Sequence, residues 1–208
     1  MERVKIGIVG CGCISGIYLQ NFHGMYKDLV EVVAVCDLIP ERAQKGVQYV
    51  REQIAAGADV REPKIYQDMY EAFDDPEVEV ILNLTRPYEH YEVTKQALLH
   101  GKHTYSEKPL AVDMEEAAEL IALAEEKNLR LGGAPDTFLG AGIQTARRLI
   151  DDGFIGDVVG ASCAMVCHGH ETWHPTRSST TSGAAAPCWT WAPTTSPPWS
   201  SSWGRPRA

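Results

Sequence analysis

Short apolar runs alternate with amphipathic stretches of helical spacing along the first 134 residues. The apolar runs are rich in β-branched residues, which is typical of buried strands. They predict strands at 4–9, 31–36, 65–66, 78–85, 102–106 and 129–133. The stretches between them predict helices that begin near residues 14, 40, 68, 88 and 113. This alternation predicts a parallel, doubly wound α/β sheet over residues 1–134.

The first predicted strand ends in a glycine motif, Gly10-x-Gly12-x-x-Ser15, and a helical pattern follows it. Gly10 permits a tight turn, Gly12 lets the backbone approach a ligand, and the helix N–H groups face a pyrophosphate. A small third residue, here Ser15, still lets helix and strand pack. The second predicted strand ends on Asp37, whose carboxylate can accept both hydroxyls of an adenine ribose and repels a 2′-phosphate.

Strand, turn, helix and acid together predict a Rossmann dinucleotide site that prefers NAD, with NADP the weaker ligand. The alternative is a glycine-rich turn in another kind of α/β protein, with Asp37 capping a helix.

The pattern changes beyond residue 134. A helical stretch at 140–152 and an apolar run at 158–167 predict the first elements of a second domain. Residues 176–208 contain only Thr, Arg, Ser, Gly, Ala, Pro, Cys and Trp. No helical or strand period is present there, so this composition predicts a disordered tail.

Charge and composition exclude several classes of partner. The net charge of −9 argues against binding to nucleic acid or to an anionic membrane, because both need a basic face. No apolar run approaches membrane-spanning length, and the first strand begins too early to leave room for a signal peptide. We therefore expect a cytoplasmic protein. The six cysteines lack a secreted framework and are expected to be reduced, structural thiols.

Soft metal ligands cluster between Cys163 and His174. Cys163 and Cys167 stand four residues apart on a predicted strand, which separates them by about 13 Å. That distance is too long for two ligands of one ion, so a strand with a histidine-rich loop is favoured and no metal site is predicted.

Five features resemble the glucose–fructose oxidoreductase, inositol dehydrogenase and MocA family (Gfo/Idh/MocA) across residues 3 to about 175. They are Gly10-x-Gly12, Asp37, Thr85-x-Pro87-x-x-His90, Ala97-Leu98-x-x-Gly101-Lys102-His103 and Glu107-Lys108-Pro109. Members are typically NAD(P)-dependent oxidoreductases of sugars, polyols or related compounds, with a Rossmann domain and an α+β domain built on an open sheet. The resemblance implies the same activity here, a sugar or polyol substrate, and a homo-oligomer in the intact family member.

The resemblance implies that Lys108 is the catalytic residue, between the nicotinamide and the substrate carbon. A lysine there binds the reacting oxygen or moves its proton while hydride leaves the carbon. The alternative is a solvated loop lysine. The resemblance implies cofactor contacts for Gly10, Gly12, Cys13, Ile14, Asp37, Thr85, Pro87, His90, Glu107, Lys108 and Pro109.

Two positions leave alternatives open. His90 either contacts the cofactor loop or lies on a helix surface. Asp136 stands where many members have an aromatic-Arg pair. It either reaches substrate hydroxyls or caps the next helix.

A family motif is reachable in another reading frame of the tail. The codons of Cys188-Trp189-Thr190-Trp191-Ala192 are nearly forced, and one base earlier they read Leu-Asp-(Leu, Met or Val)-Gly. The last base of the Pro187 codon adds a further NTG codon in front, which makes Leu-x-Asp-x-Gly reachable. The family continues here with a Leu-x-Asp-x-Gly-type segment that contributes substrate-binding and catalytic residues. We expect a frameshift near residue 176, the alternative being a genuine Ser/Thr/Pro tail.

The expected chain therefore has a Rossmann domain at 1–134, the start of an α+β domain at 135–175 and an anomalous tail at 176–208. It is expected to be a C-terminally truncated oxidoreductase with impaired activity. The alternative is a catalytically silent dinucleotide-binding protein with a sensing or partner-binding role.

Overall fold

The computed structural model describes residues 2–160 and residue 162. Its strands are β1 (Val4–Val9), β2 (Val30–Cys36), β3 (Lys64–Tyr66), β4 (Val80–Asn83), β5 (His103–Ser106) and β6 (Leu131–Gly133). They form a 6-stranded sheet in the order β3-β2-β1-β4-β5-β6. All neighbouring strands in this sheet pair in parallel.

Helices connect these strands, as parallel neighbours require. They are α1 (Ser15–His23), α2 (Pro40–Ala55), α3 (Met69–Asp74), α4 (His90–Leu99) and α5 (Met114–Glu126). The alternation confirms the predicted parallel, doubly wound α/β fold, and each predicted strand of the first 134 residues is present.

The core lies on both faces of the sheet, on either side of β1. Ile6 and Ile8 belong to one buried cluster, which includes Leu19 of α1. Val9 belongs to a second buried cluster with Phe73 of α3. This division follows from the strand's period of two residues. Burying each large apolar side chain contributes roughly 1.5–3 kcal/mol, so the helices are held firmly against the sheet.

The fourth strand is shorter than the predicted 78–85. The N–H group of Val78 donates to Asp75 O at 3.1 Å, which places Val78 in a turn before the strand. At the other end, the N–H group of Thr85 donates to the side chain of Asn83 at 3.2 Å. Local hydrogen bonds thus engage Val78 and Thr85, the two ends of the predicted run, while Glu79 and Leu84 still donate to β1.

The chain divides into two compact units, Met1–Ala134 and Pro135–Ala208. The described part of the second unit contains a 3-10 turn (Thr137–Leu139) and α6 (Ala141–Asp151). Asp136 makes no side-chain capping bond, and Gly140 is the residue that precedes α6. The alternative in which Asp136 caps the next helix is therefore wrong.

The strand predicted at 158–167 is absent from residues 158–160 and 162. A strand needs a hydrogen-bonding neighbour, and among the described residues after 134 there is no other strand to supply one. The remaining residues of that prediction, the cluster between Cys163 and His174, and the predicted tail at 176–208 lie outside the described residues.

Three further observations concern the described residues alone. No helix among them is both long and apolar enough to cross a membrane. Within residues 2–160 and 162, no group of three or more His, Cys, Asp or Glu could hold a metal ion. Cys11, Cys13 and Cys36 are free thiols, of which only Cys13 is exposed.

Candidate functional site

Three loops meet at the carboxyl edge of the sheet, beside β1, where the order of the strands reverses. β1 lies between β2 and β4, so the chain leaves β1 and β4 toward different neighbours. In open α/β sheets such a point forms a crevice that binds ligands. The loops are the glycine turn 10–14 after β1, the loop 84–89 after β4 and the Glu107-Lys108-Pro109 segment after β5.

The glycine turn needs a glycine at position 10 for two reasons. Gly10 has a φ of 96°, which residues with a side chain rarely adopt. A Cβ there would also lie 2.7 Å from the carbonyl carbon and oxygen of Leu84. A Cβ on Gly12, in contrast, would meet nothing within 4 Å. Gly12 therefore faces open space, where another molecule can approach the backbone.

The first turn of α1 is left open to an anion. α1 has no side-chain cap at its N-terminus and no acidic residue in its first turn. The side chains of Asp68 and Asp113, by contrast, cap α3 and α5. The hydroxyl of Ser15 donates back to Gly12 O at 2.7 Å and so tightens the turn. The N–H groups of an uncapped first turn favour a negative ligand.

Asp37 holds the glycine turn against the end of β2. Its side chain is only 8% exposed, and Oδ2 accepts the N–H of Cys11 at 2.8 Å. Oδ1 accepts the N–H of Ile39, also at 2.8 Å. α2 has no side-chain cap, so the helix-capping alternative for Asp37 is wrong. Each carboxylate oxygen keeps a further lone pair for another donor.

The same neighbourhood keeps two thiols protonated. Burial raises the pKa of Cys11 to about 12, and the negative charge of Asp37 adds to the effect. Burial raises the pKa of Cys36 to about 12 as well, again with a contribution from Asp37. Cys11 and Cys36 are therefore unreactive packing residues at neutral pH.

Asn83 organises the loop after β4 and was not identified from the sequence. Its amide nitrogen donates to His90 O and to Thr94 Oγ1, both at 3.0 Å. Its amide oxygen accepts the hydroxyl of Thr85 at 2.6 Å. The side chain is fully buried. A polar residue within the apolar run Val-Ile-Leu-Asn-Leu is the signal that could have identified it.

His90 connects the loops that follow β4 and β5. The side chain is 1% exposed, so the helix-surface alternative is wrong. Its Nδ1 lies 2.6 Å from Pro109 O, and its Nε2 lies 3.0 Å from Thr85 O. Burial lowers the pKa of His90, although the two carbonyls and the charges of Glu107 and Glu89 oppose that shift. Both ring nitrogens thus face backbone carbonyl oxygens, and the neutral ring donates its one N–H to one of them.

Hydrogen bonds hold the Glu107-Lys108-Pro109 segment on both sides of the lysine. The N–H of Glu107 donates to Asn83 O at 2.9 Å. Its carboxylate accepts the hydroxyl of Tyr18 at 2.9 Å and the N–H of Lys108 at 3.0 Å. The Lys108-Pro109 peptide bond is cis. Lys108 itself is half-buried.

The structure brings most of the predicted site residues to this one edge. Direct contacts join Gly10 to the loop after β4, Asp37 to the glycine turn, and His90 to both Thr85 and Pro109. The remaining predicted positions lie on the same loops: Cys13 and Ile14 are exposed, and Pro87 is half-buried.

A parallel sheet with an open glycine turn and an acid after β2 defines a dinucleotide-binding Rossmann protein. The sequence model described as "Oxidoreductase family, NAD-binding Rossmann fold" (Gfo/Idh/MocA) matches residues 4–133. The chain belongs to this family, which confirms the resemblance seen in its five sequence features.

Two curated relatives are inositol dehydrogenases. The inositol 2-dehydrogenase/D-chiro-inositol 3-dehydrogenase of Lactiplantibacillus plantarum is 33% identical over 154 residues, covering 73% of this chain and 41% of that protein. The inositol 2-dehydrogenase of Salmonella typhimurium is 35% identical over 125 residues, covering 60% of this chain and 34% of that protein. The chain therefore spans less than half the length of either relative.

A similar solved structure is the myo-inositol dehydrogenase of Lactobacillus casei in complex with NAD(H) and myo-inositol. It has a TM-score of 0.64 and 25% sequence identity, and the similarity covers 74% of this chain and 43% of that one.

Proposed function

We propose that this chain carries the cofactor half of an NAD(P)-dependent oxidoreductase. The reaction is hydride transfer between the nicotinamide and a secondary alcohol or carbonyl of a sugar or polyol. The observation that carries the proposal is one hydrogen bond, from Tyr18 to Glu107, which joins the helix that follows the glycine turn to the lysine segment. Family membership and the inositol dehydrogenases among the relatives support the reaction type and the polyol class.

The residues at this edge fit a dinucleotide. The uncapped start of α1 offers N–H groups to the pyrophosphate, and Gly12 leaves the space that a phosphate needs. Asp37 retains lone pairs for ribose hydroxyls, and its charge disfavours a 2′-phosphate. NAD is therefore the preferred cofactor. When bound, it supplies the hydride donor or acceptor.

Lys108 is the proposed catalytic residue. Its ammonium group would donate a hydrogen bond to the reacting oxygen, and it would give up or take back a proton at its Nζ as the oxygen changes charge. The Glu107 carboxylate accepts the N–H of Lys108 and so fixes the main chain that carries the amine. Holding the nicotinamide, the substrate and the lysine together in one complex can supply roughly 7–11 kcal/mol of a barrier.

Titrations with NADH and NADPH test the cofactor proposal. NADH should bind more tightly, and a chain that binds neither dinucleotide at millimolar concentration would contradict the proposal. A redox screen over sugars and polyols then tests the reaction. Lys108→Ala should abolish any turnover while leaving NADH binding measurable.

The impairment expected from the tail stays a prediction, and the same screen addresses it. Binding without turnover by the 208-residue chain, together with turnover once the other reading frame is restored after residue 175, supports the frameshift. Tight NADH binding with no turnover in both versions favours the catalytically silent alternative. The homo-oligomer and the cytoplasmic location also stay predictions.

A further inference from the structure

We propose that Tyr18 is a positioning residue for Lys108 and that it acts through the carboxylate of Glu107. The inference rests on the proposed function in one respect, the role of Lys108 at the reacting centre. It assigns Tyr18, on the helix that follows the glycine turn, to the placement of a side chain 90 positions further along the chain.

The carboxylate of Glu107 is held at both of its oxygens. Oε1 accepts the hydroxyl of Tyr18 at 2.9 Å, and Oε2 accepts the N–H of Lys108 at 3.0 Å. A hydrogen bond to a charged acceptor is stronger than one between neutral groups. The carboxylate therefore transmits the position of the phenol to the main chain of the lysine.

Tyr18 is itself fixed on α1. Its ring contacts Phe22 with a centroid separation of 6.1 Å, and both rings pack against the buried cluster between α1 and the sheet. A half-buried ring on a helix has few alternative rotamers, so its hydroxyl presents a fixed donor to Glu107. The direction of the Glu107 side chain is thus set by packing in the core.

The other end of the segment is fixed independently. Pro109 O lies 2.6 Å from Nδ1 of the buried His90, which belongs to α4. Lys108 therefore lies between two anchors, one from each face of the sheet. Removing the Tyr18 anchor alone should disturb the lysine without releasing the segment altogether.

This arrangement joins cofactor binding to catalysis through one helix. The first turn of α1 is the proposed pyrophosphate site, and Tyr18 follows it within the same helix. The rigid helix α1 therefore fixes the position of a cofactor bound at that turn relative to the lysine segment.

The decisive experiment is Tyr18→Phe, which removes the hydroxyl and keeps the ring. We would measure the rate at which an acylating reagent modifies Lys108, by mass spectrometry, relative to the exposed Lys127 in the same molecule. The rate should change roughly 3- to 10-fold, the size expected from one hydrogen bond, because the main chain that carries the amine loses one of its anchors. The matched control is Tyr26→Phe at an exposed tyrosine, which should leave the ratio unchanged.

Glu107→Gln provides the second variant, because an amide has one accepting oxygen in place of two. It should change the Lys108 rate, and adding Tyr18→Phe to it should change the rate no further. Independent, additive effects of the two substitutions, or an unchanged Lys108 rate in Tyr18→Phe, would overturn the proposal.

Labelling in the presence and in the absence of NADH separates this inference from the proposed function. If NADH fails to protect Lys108 in the unmodified chain, the proposed function is contradicted, whatever the variants do. If NADH protects Lys108 and Tyr18→Phe changes neither the rate nor the protection, the positioning role alone is overturned.

Discussion

Gly12 is needed for ligand binding and not for folding, whereas Gly10 is needed for the fold itself. A methyl group on Gly12 meets no atom of the protein within 4 Å. Gly12→Ala should therefore leave the free energy of unfolding nearly unchanged while it weakens NADH binding by ~10-fold or more, because it fills the space beside the phosphates. Denaturant titration and NADH fluorescence measure the two effects.

The controls for this prediction are two other glycines. Gly142→Ala in α6, where a methyl group also meets nothing within 4 Å, should leave NADH binding unchanged and raise stability by at most about 1 kcal/mol, because alanine is the better helix former. Gly10→Ala should destabilise the fold by about 1–3 kcal/mol or more, because it combines a strained φ with a backbone collision. Unaltered NADH affinity in Gly12→Ala would argue against a phosphate at this turn.

Asp37 should contribute to stability as well as to cofactor choice. Asp37→Asn removes the charge that disfavours a 2′-phosphate, so the preference for NADH over NADPH should narrow. An amide also accepts through one atom only, so either Cys11 or Ile39 loses its acceptor. The free energy of unfolding should fall by about 1–3 kcal/mol.

Titrations with NADH and NADPH measure the change in cofactor preference, and denaturant titration measures the change in stability. The exposed Asp28→Asn is a matched control that should shift neither cofactor preference nor stability. If the two cofactors bind the unmodified chain equally, Asp37 does not select between them.

At the scale of elements, the start of α4 should make stability depend on pH. Burial lowers the pKa of His90 below its ordinary value of 6.5. The unfolded chain therefore binds a proton that the folded chain does not, and stability falls as the pH drops below 6.5. Above that value the contribution of the neutral ring is fully present.

Denaturant titrations at pH 5.5 and pH 7.5 test this expectation. His90→Gln should reduce the pH dependence, and it should also cost stability at pH 7.5 because it breaks the contacts with Thr85 and Pro109. Gln20→Ala, at an exposed position on α1, removes no titrating group; it is the control and should keep the pH dependence of the unmodified chain. An unchanged pH dependence in His90→Gln would contradict the assignment of the pH-dependent stability to His90.

The elements themselves could be predicted because their causes are local. Runs such as Val-Glu-Val-Val-Ala-Val-Cys specify a strand by composition, and Asp113 specifies the start of a helix by its side-chain bond to Glu115 N. The long-range contacts of the site could not be predicted. The bond from Tyr18 to Glu107 spans 89 positions, and the contact from His90 to Pro109 spans 19. Such pairs are set by packing, which a single sequence does not display.

At the scale of the whole molecule, each of the proposed cofactor contacts lies in the unit Met1–Ala134. Residues 1–134 alone should therefore bind NADH with an affinity within about 3-fold of the full chain, since rigid sites change little when remote parts are removed. Fluorescence titration of both chains measures this. Loss of binding by the shorter chain would mean that residues beyond Ala134 complete the cofactor site.

The place of β1 between β2 and β4 has a consequence for a chain emerging from the ribosome. A nascent chain that has released β1, β2 and β3 already presents Gly10, Gly12 and Asp37. It still lacks β4, whose Asn83 pairs with Val9, and β5, which carries the lysine segment to the same edge. Half of the crevice is then missing, and the inner edge of β1 is open. The complete dinucleotide site therefore forms only after β5 has joined the sheet. A bound dinucleotide then indicates a chain in which β1 already has both of its neighbouring strands.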